Sequence, residues 1–483
     1  MFTAFNFTAQ AEEIHTVACT AGNLATLTAG YKATITDLTV TGTIDARDFK
    51  TMRDDMPLLA VIDLSGSTVL AYSGTAGTAG TASTVYLANG IPDFAFYNSS
   101  SSIAKKSLKS FIYPASVSSI GSSAFWDCSG FAGSLTIPIS VTTIGNWAFG
   151  NCKGFNGSLT IPSSVTIIGE GAFSHCSGFT GSLIIPLSIT TIGHSAFYNC
   201  RGFVGSLTIP SSVTTIGFYA FSHCSGLTGS LAIPSLVTII GDGAFVNCSG
   251  FSGTLTIPSS VTTIGDGAFG NFRGLIDVDL ANANYSSLDG VLFNKSKTML
   301  IQCPTSKTGK YTIPSSVTTI GDYAFGNCNS ITSIYTLSTT PINISASLGV
   351  FSGININTCV LHVPENSKIL YTAADQWQDF TNIVEDIPNS IDEVLNSSIS
   401  IFPNPATTLI TISELSSLVS DKTVTLSITD VSGRTLFSQD IEPSLNTLTI
   451  DVSTFNCGIY FIAIQTCKGS VIKRFVKNRF IRY

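Results

Sequence analysis

The cysteines have the spacing that most suggests chemistry. Of the twelve in the chain, six recur at one position every 24 residues, namely Cys128, Cys152, Cys176, Cys200, Cys224 and Cys248. Thiols can form disulfides, bind metal ions or act as nucleophiles, but a regular period places these on stacked coils about 4.8 Å apart. Bridging then requires side-chain directions that a parallel stack rarely provides. We therefore predict a column of buried thiols that pack as small apolar groups, with disulfides as the alternative.

Other catalytic and metal-binding patterns are weak. His175 and His223 each precede a repeat cysteine, but adjacent side chains on a chain point apart. No serine lies in a G-x-S-x-G motif, and the acidic residues of the coils are scattered singly rather than paired. Gly74, Gly77 and Gly80 are not followed by the Lys-Ser/Thr of a phosphate-binding loop. We predict no catalytic residue, no cofactor and no metal site, and keep a polysaccharide-acting enzyme as a minor alternative.

An internal repeat must position all of these residues. Ile-Pro recurs every 24 residues from Ile137-Pro138 to Ile257-Pro258, within the frame I-P-x-S-V-T-x-I-G-x-x-A-F-x-x-C. Apolar Leu159 and Ile161 alternate with Ser158 and Thr160, which predicts a strand with one buried face, and A-F-x-x-C suits a single helical or 3₁₀ turn.

The energetics of one coil favour stacking. Burying six large side chains contributes about 12 kcal/mol, whereas ordering 24 residues costs roughly 24–48 kcal/mol. A lone coil is therefore unfolded, and neighbouring coils must supply the missing stability. We predict a repeat solenoid, mainly β with short helical or 3₁₀ turns, whose coils stack in register.

The repeat frame resembles the BspA-like leucine-rich repeats of bacterial surface proteins, over roughly residues 85–340. The resemblance implies a leucine-rich-repeat solenoid, extracellular placement and, in some members, adhesion to proteins or other cells. The flanks resemble the same group. We expect residues 12–84 to form an N-terminal cap with a short amphipathic helix started by Asp45. Residues 341–386 are expected to form a C-terminal cap whose helical stretch contains Trp377 and Phe380.

After a linker at 387–398, short alternating strands and turn signals predict a small antiparallel, Ig-like sandwich over residues 399–483. This segment resembles the type A C-terminal sorting domains of the type IX secretion system. The resemblance implies recognition by that machinery and placement outside a Gram-negative bacterium of Bacteroidota type, either secreted or at the outer surface. It also implies that the sorting signal includes Pro403, Asn404, Pro405, Gly433, Gly458, Tyr460, Lys473 and Lys477.

Charge and hydropathy bear on partners and export. The net charge of −7 argues against a nucleic-acid partner, and the chain has no apolar run long enough for a membrane span. Residues 1–11 end in Ala9-Gln10-Ala11, which is typical of the cleavage end of a secretory signal peptide. We interpret them as a truncated signal-peptide remnant, with an ordinary N-terminus as the alternative.

The repeat region has few charges, and between residues 112 and 272 these are Asp127, Lys153, Glu170, Arg201, Asp242 and Asp266. Two outward columns should follow the strands: Ser134, Ser158, Ser182, Ser206, Ser230 and Thr254, and Thr136, Thr160, Ile184, Thr208, Ala232 and Thr256. Variable turn positions supply rings that we expect to be exposed binding anchors: Trp126, Trp147, Tyr198, Phe218 and Tyr219. We predict a ligand face for extracellular protein or glycan partners, as in an adhesin, and keep a self-associating structural coat as the alternative.

Overall fold

The fold is a stack of coils in which most of the strands pair in parallel with a counterpart in a neighbouring coil. The computed structural model describes residues 13–80, 83–387, 399–415, 424–430, 434–442, 445–466 and 469–478. Within the repeat, Thr143 and Ile144 pair with Ile167 and Ile168, so the sequence period and the strand register coincide. The predicted solenoid with mainly β character is confirmed.

One side of each coil carries the short strand that follows the Ile-Pro turn, and we call it the Thr-Ile side. The ladder extends beyond the strand itself, because Thr142 N–H donates to Ser118 O and Gly145 N–H donates to Ile120 O, both at 2.8 Å. The second residue of each strand usually enters the core, as Ile144 does. These strands are Gly90–Ile91, Ser119–Ile120, Thr143–Ile144, Ile167–Ile168, Thr191–Ile192, Thr215–Ile216, Ile239–Ile240, Thr263–Ile264, Met299–Gln302 and Thr319–Ile320.

A second side, which we call the Leu-Thr side, carries the strand that leads into each proline. The predicted alternation is confirmed, since Leu159 and Ile161 are buried while Ser158 and Thr160 are exposed. The strand ends at Pro162 because proline has no N–H to continue a ladder. The strands of this side are Leu159–Thr160, Leu183–Ile184, Gly229–Ala232, Phe251–Ile257 and Ile276–Val278.

The A-F-x-x-C segments form the turn side of each coil. Ala148 N–H donates to Gly145 O at 3.3 Å, as in a 3₁₀ turn, but Phe149 N–H donates to Ala172 O of the next coil at 2.8 Å. Consecutive turns therefore replace a helix here. The residue before each cysteine, and before Phe272 in the coil that lacks the cysteine, has a left-handed backbone, which Asn, Asp and His tolerate best among residues with a side chain. That position is occupied by Asp127, Asn151, His175, Asn199, His223, Asn247 and Asn271.

The N-terminal coils contain a parallel sheet of the strands Ile14–Cys19, Asp37–Ile44, Val61–Val69 and Ser110–Ile112. The predicted helix is confirmed at Ala46–Asp54, where the Asp45 and Asp48 side chains form a capping box. The other elements of this part are the helix Leu24–Leu27 and the hairpins of Tyr72–Gly74 with Thr84–Tyr86 and Tyr97–Asn98 with Ile103–Ala104. No helix in the described ranges is long and apolar enough to cross a membrane.

The last coils begin with the antiparallel strands Tyr285–Leu288, Val291–Asn294 and Met299–Gln302, and continue with parallel strands Gly309–Ile313, Ile331–Thr336, Val360–His362 and Asn382–Val384. The expected helical stretch is confined to Lys368–Tyr371, and Trp377 and Phe380 lie in turns after it, so this part of the prediction is wrong. The reason that the helix ends early lies in tertiary packing. Trp377 is fully buried, donates to Ile342 O at 2.9 Å and packs against Phe351 at 4.9 Å, so it closes the core instead of extending a helix.

The solenoid core is a column of stacked phenylalanine rings. Ring centroids are 5.3 Å apart for Phe125 and Phe149, 5.5 Å for Phe149 and Phe173, and 5.7 Å for Phe173 and Phe197. One buried cluster runs from Val17 to Leu292 and a second covers 291–383. Each coil thus buries its rings against the coils before and after it.

The C-terminal segment folds as two antiparallel sheets around their own core, as predicted. One sheet contains Ser400–Phe402, Leu409–Ser413 and Thr447–Asp451. The other has the order Thr435–Ile441, Val424–Asp430, Gly458–Thr466 and Gly469–Lys477. Buried side chains of both sheets, such as Ile410 and Ile462, belong to one cluster.

Candidate interaction surface

The hydroxyl columns predicted as a ligand face lie on the Leu-Thr side, and all twelve of their residues are exposed. Ser158 Oγ bonds to Ser182 Oγ at 3.3 Å. In contrast, the hydroxyls of Thr136, Thr160, Thr208 and Thr256, which lie in the described part of the chain, make no hydrogen bond within the protein. These hydroxyls can therefore bind an external ligand without giving up an internal partner.

A second threonine column lies on the Thr-Ile side and was missed by the sequence reasoning. It consists of Thr142, Thr166, Thr190, Thr214, Thr238 and Thr262. Here the hydroxyls are used internally: Thr142 Oγ1 donates to Ser118 O at 3.1 Å, and Thr214 Oγ1 donates to Thr190 O at 3.2 Å. The signal in the sequence was the absence of any substitution in this column, whereas Ile184 and Ala232 interrupt the other one.

The charges of the repeat region are confined to the turn side. Asp127, Lys153, Glu170, Arg201, Asp242 and Asp266 all lie in the turn segments or directly after the repeat cysteine. Asp127 pairs with Lys106 at 3.0 Å and accepts a hydrogen bond from Asn151. Between residues 112 and 272, which the structure describes throughout, both strand sides are therefore uncharged.

The predicted aromatic anchors are less exposed than expected. Phe218 and Tyr219 are 48% and 47% exposed, but Trp126, Trp147 and Tyr198 are partly buried, so the expectation of exposed rings is wrong for these three. Their rings contact neighbouring coils: Trp126 and Trp147 lie 5.3 Å apart, edge to face.

Glycines explain this burial. A Cβ placed on Gly150 would lie 2.3 Å from the Trp126 ring, and one on Gly171 would lie 2.3 Å from the Trp147 ring. Each tryptophan thus covers a glycine of the next coil. The aromatic residues belong to the turn side and the hydroxyl columns to the Leu-Thr side, so the two predicted sets do not form one site.

His175 and His223 flank Tyr198, with ring centroids 5.0 Å and 5.7 Å from it. Burial, followed by the nearby charge of Lys153, lowers the pKa of His175. Burial also lowers the pKa of His223. Within the described ranges, no three His, Cys, Asp or Glu side chains come close enough together to hold a metal ion.

The predicted column of buried thiols is confirmed. Cys152, Cys176 and Cys200 are fully buried, and each Sγ–H donates to the carbonyl of a phenylalanine 27 residues earlier, at 3.0, 3.0 and 2.9 Å. Burial raises the pKa of Cys176 to about 12, which keeps it a neutral donor. The repeat cysteines are free thiols in the structure. Their role here is to bond successive coils together.

The residues assigned to the sorting signal meet at the last strand. Asn404 Oδ1 accepts from Val476 N–H at 2.9 Å, and Asn404 Nδ2 donates to Arg474 O at 3.3 Å. Tyr460 stacks on Phe475 at 5.4 Å. Gly458 pairs with Lys477, whose buried side chain donates to Asn478 O at 2.9 Å.

Four assigned residues remain. Pro403 and Pro405 flank Asn404, and Lys473 lies on the last strand with a partly buried side chain. Gly433 lies outside the described residues. The geometry therefore joins two segments that the sequence reasoning matched separately, because Asn404 bonds directly to the strand that carries Lys473 and Lys477.

Comparison with known families agrees with this architecture. Residues 89–228, 227–309 and 302–400 match the BspA type leucine rich repeat region, in six copies. Residues 400–478 match the secretion system C-terminal sorting domain. No curated protein was found to match the sequence.

Several solved structures are similar. A leucine-rich repeat protein from Eubacterium ventriosum is 25% identical, with 52% of this chain and 55% of that chain covered and a TM-score of 0.30. A leucine rich cell surface protein from Faecalibacterium prausnitzii is 21% identical, with 59% and 86% covered and a TM-score of 0.35. The pneumococcal vaccine antigen PcpA is 20% identical, with 52% and 51% covered and a TM-score of 0.25. This chain spans about half the length of the first and third of these proteins.

Proposed function

This chain belongs to the family of BspA-type leucine-rich repeat proteins and carries a secretion-system sorting domain, and from these two facts we propose that it is an adhesin-like, non-enzymatic interaction protein. The sorting domain makes it a secreted or cell-surface protein. We further propose that the type IX machinery of a Gram-negative, Bacteroidota-type bacterium exports it through residues 399–483. Its partners are extracellular proteins or glycans.

The observation that carries the proposal is the state of the hydroxyls on the Leu-Thr side. Thr136, Thr160, Thr208 and Thr256 are exposed, lie on a side that has no charge between residues 112 and 272, and make no hydrogen bond with the described residues. A ligand that hydrogen-bonds to them replaces only water, so contacts can be added coil after coil along the stack. A modest contribution per coil, repeated over several coils, gives an extended partner useful affinity.

Binding by this side can be tested with a triple variant, Thr160→Val, Thr208→Val and Thr256→Val. The full chain and the variant are compared on a panel of matrix proteins, glycans and bacterial cells. We expect at least one partner of the unmodified chain to be lost by the variant. The matched control, Ser177→Ala, Ser225→Ala and Ser249→Ala, removes three exposed hydroxyls from the turn side and should retain that partner. A panel without any partner would contradict the proposal.

Export is tested separately by fractionating cells that produce the chain with and without residues 399–483. The full chain should be found outside the cell or at its surface, and the shortened chain inside. Equal distribution of the two chains would exclude a sorting role for this domain.

Self-association as a structural coat is a second candidate, favoured by exposed aliphatic side chains near the Ile-Pro corner. Ile139, Leu187, Ile167 and Leu236 are 86%, 69%, 56% and 55% exposed, on coils without charge at this corner. Sedimentation velocity at rising concentration separates the candidates, because a coat protein must form larger species. Replacing Ile139 and Leu187 with Ser should then return it to the monomer. A polysaccharide-acting enzyme remains a minor third candidate, although the strand sides carry no carboxylate between residues 112 and 272.

A further inference from the structure

On the Leu-Thr side of the described chain, backbone hydrogen bonds join some consecutive coils, as between Leu159–Thr160 and Leu183–Ile184, but not others. The strand Ser110–Ile112 pairs with Val61–Val69, but in this part of the described chain no backbone hydrogen bond joins residues 110–113 to residues 134–137. The two segments still meet at one end, where Ala132 N–H donates to Lys109 O at 3.3 Å. A cleft of about 530 Å³ lies between them. A small-molecule site has a similar volume.

Two aromatic residues line the cleft. Phe111 and Tyr113 stand 24 residues before Leu135 and Ile137, so rings occupy positions that aliphatic side chains fill in the later coils. The Phe111 ring lies 4.9 Å from that of Tyr113 and 5.1 Å from that of Phe125. Phe111 and Tyr113 are only partly buried.

The cleft combines these rings with hydroxyl groups. Ser110, Ser134 and Thr136 line it, and in this described region none of their hydroxyls, nor the phenol of Tyr113, has a hydrogen-bond partner. Burial raises the pKa of Tyr113, so the phenol stays a neutral donor. The one charged lining residue is Lys109, whose ammonium forms no ion pair with the described residues.

We propose that this cleft binds one pyranose ring of an extracellular glycan, and that it favours a sugar with a carboxylate. This assignment rests on the proposed function and names the class of ligand for one end of the Leu-Thr side. The carbon-bound hydrogens of a sugar face pack on aromatic rings, while its hydroxyls pair with Ser134, Thr136 and Tyr113. Lys109 supplies the charge that an acidic sugar needs.

The hydroxyls decide between a sugar and an apolar peptide side chain. An apolar group in the cleft would cover Ser134, Thr136 and the Tyr113 phenol without replacing their bonds to water. Leaving a buried polar group unpaired is unfavourable. A polyhydroxylated ring avoids this cost and still covers the aromatic surface.

The test uses the full chain with three probes: methyl β-D-glucuronide, methyl β-D-glucoside and N-acetyl-L-leucinamide. Saturation-transfer NMR titrations measure their association constants. We expect both sugars to bind, the glucuronide about fivefold more tightly, and the leucinamide to bind more weakly than either. Binding of neither sugar, or preferential binding of the leucinamide, would overturn the proposal.

Two variants locate the site. Thr136→Val should lower the association constant of both sugars about tenfold, whereas Thr214→Val, the same change at an exposed threonine of the Thr-Ile side, should alter it less than twofold. Lys109→Met should remove the preference for the glucuronide and leave glucoside binding unchanged. Equal effects of the two Thr→Val changes would place the sugar elsewhere and refute the cleft site. Circular dichroism confirms that each variant is folded.

The outcomes remain distinguishable from those of the proposed function. If the chain loses a partner through the triple threonine variant but binds no sugar probe, the cleft assignment fails alone. If the sugars bind at Thr136 while the panel yields no partner of the outer columns, the broader face fails and the cleft stands.

Discussion

The solenoid and the C-terminal domain pair their strands over very different distances along the chain. In the solenoid, each residue of the repeat meets its counterpart 24 positions away, as with Ser158 and Ser182. In the C-terminal domain, Asn404 Oδ1 accepts a hydrogen bond from the backbone N–H of Val476, which lies 72 residues further along the chain. The comparison teaches that the repeat distributes its stabilising contacts over many equivalent sites, whereas the C-terminal domain depends on a few unique ones.

The largest expected effect comes from breaking the phenylalanine column. Phe197 lies between Phe173 and Phe221, with centroid distances of 5.7 and 5.4 Å. Phe197→Ala should lower the free energy of unfolding by about 3–5 kcal/mol, because it leaves a cavity between coils. Phe218→Ala, at an exposed ring, is the control and should cost far less. Urea unfolding of both variants measures the difference, and equal losses would mean that the column is not the core.

The column of buried thiols makes the free energy of unfolding of the solenoid depend on pH. Burial raises the pKa of Cys176 and of Cys224 from 9.0 to about 12. Their contribution to stability is complete below pH 9 and is lost as the pH rises through about 12, because only the unfolded thiols ionise in that interval. Each such thiol should lower the free energy of unfolding by about 1.4 kcal/mol per pH unit.

Cys224→Ala should therefore flatten the decline of stability between pH 9 and pH 11 by that amount, as measured by urea unfolding at a series of pH values. Cys457, which is exposed in the C-terminal domain, provides the control, and Cys457→Ala should leave the slope unchanged. An unaltered slope for Cys224→Ala would show that the thiol is already ionised in the folded chain.

In the C-terminal domain, the side chain of Asn404 holds the last strand. Asn404→Ala removes two hydrogen bonds to the last strand, so the domain should lose about 1–2 kcal/mol. Hydrogen exchange at the Val476 amide should accelerate, and the exported fraction of the chain should fall. Asn456→Ala removes an exposed side chain that makes no hydrogen bond in the described part of the domain, and it should change neither measurement. Normal export of Asn404→Ala would separate this contact from sorting.

The smallest effect compares the two threonine columns directly. Thr214→Val removes the bond from Thr214 Oγ1 to Thr190 O, and we expect a loss of about 0.5–1 kcal/mol. Thr208→Val removes a hydroxyl without a partner and should leave stability unchanged within the error of thermal unfolding. If Thr208→Val were the more destabilising change, the assignment of one column to the stack and the other to a ligand would be reversed.

Several features followed from local patterns alone. The period of Ile-Pro predicted the parallel register, the alternation of Ser158 to Ile161 predicted which side chains are exposed, and Asp45 predicted a helix start, since these depend on spacing and on the chemistry of one turn. The exposure of Trp126 and Trp147 could not be read in this way, because it depends on glycines in the following coil. The turns around Trp377 likewise reflect packing on Phe351 rather than helix propensity.

The amino-acid sequence by itself determined the stack, the column of thiols and the two-sheet C-terminal domain, because each arises from a repeated or alternating pattern of apolar residues. Only the tertiary structure decided which hydroxyls are already bonded, that the rings and the hydroxyl columns lie on different sides, that Asn404 bonds to the last strand, and that a cleft opens beside Phe111. These depend on which atoms meet across coils, and a one-dimensional period states the spacing of residues without stating the partners of their side chains.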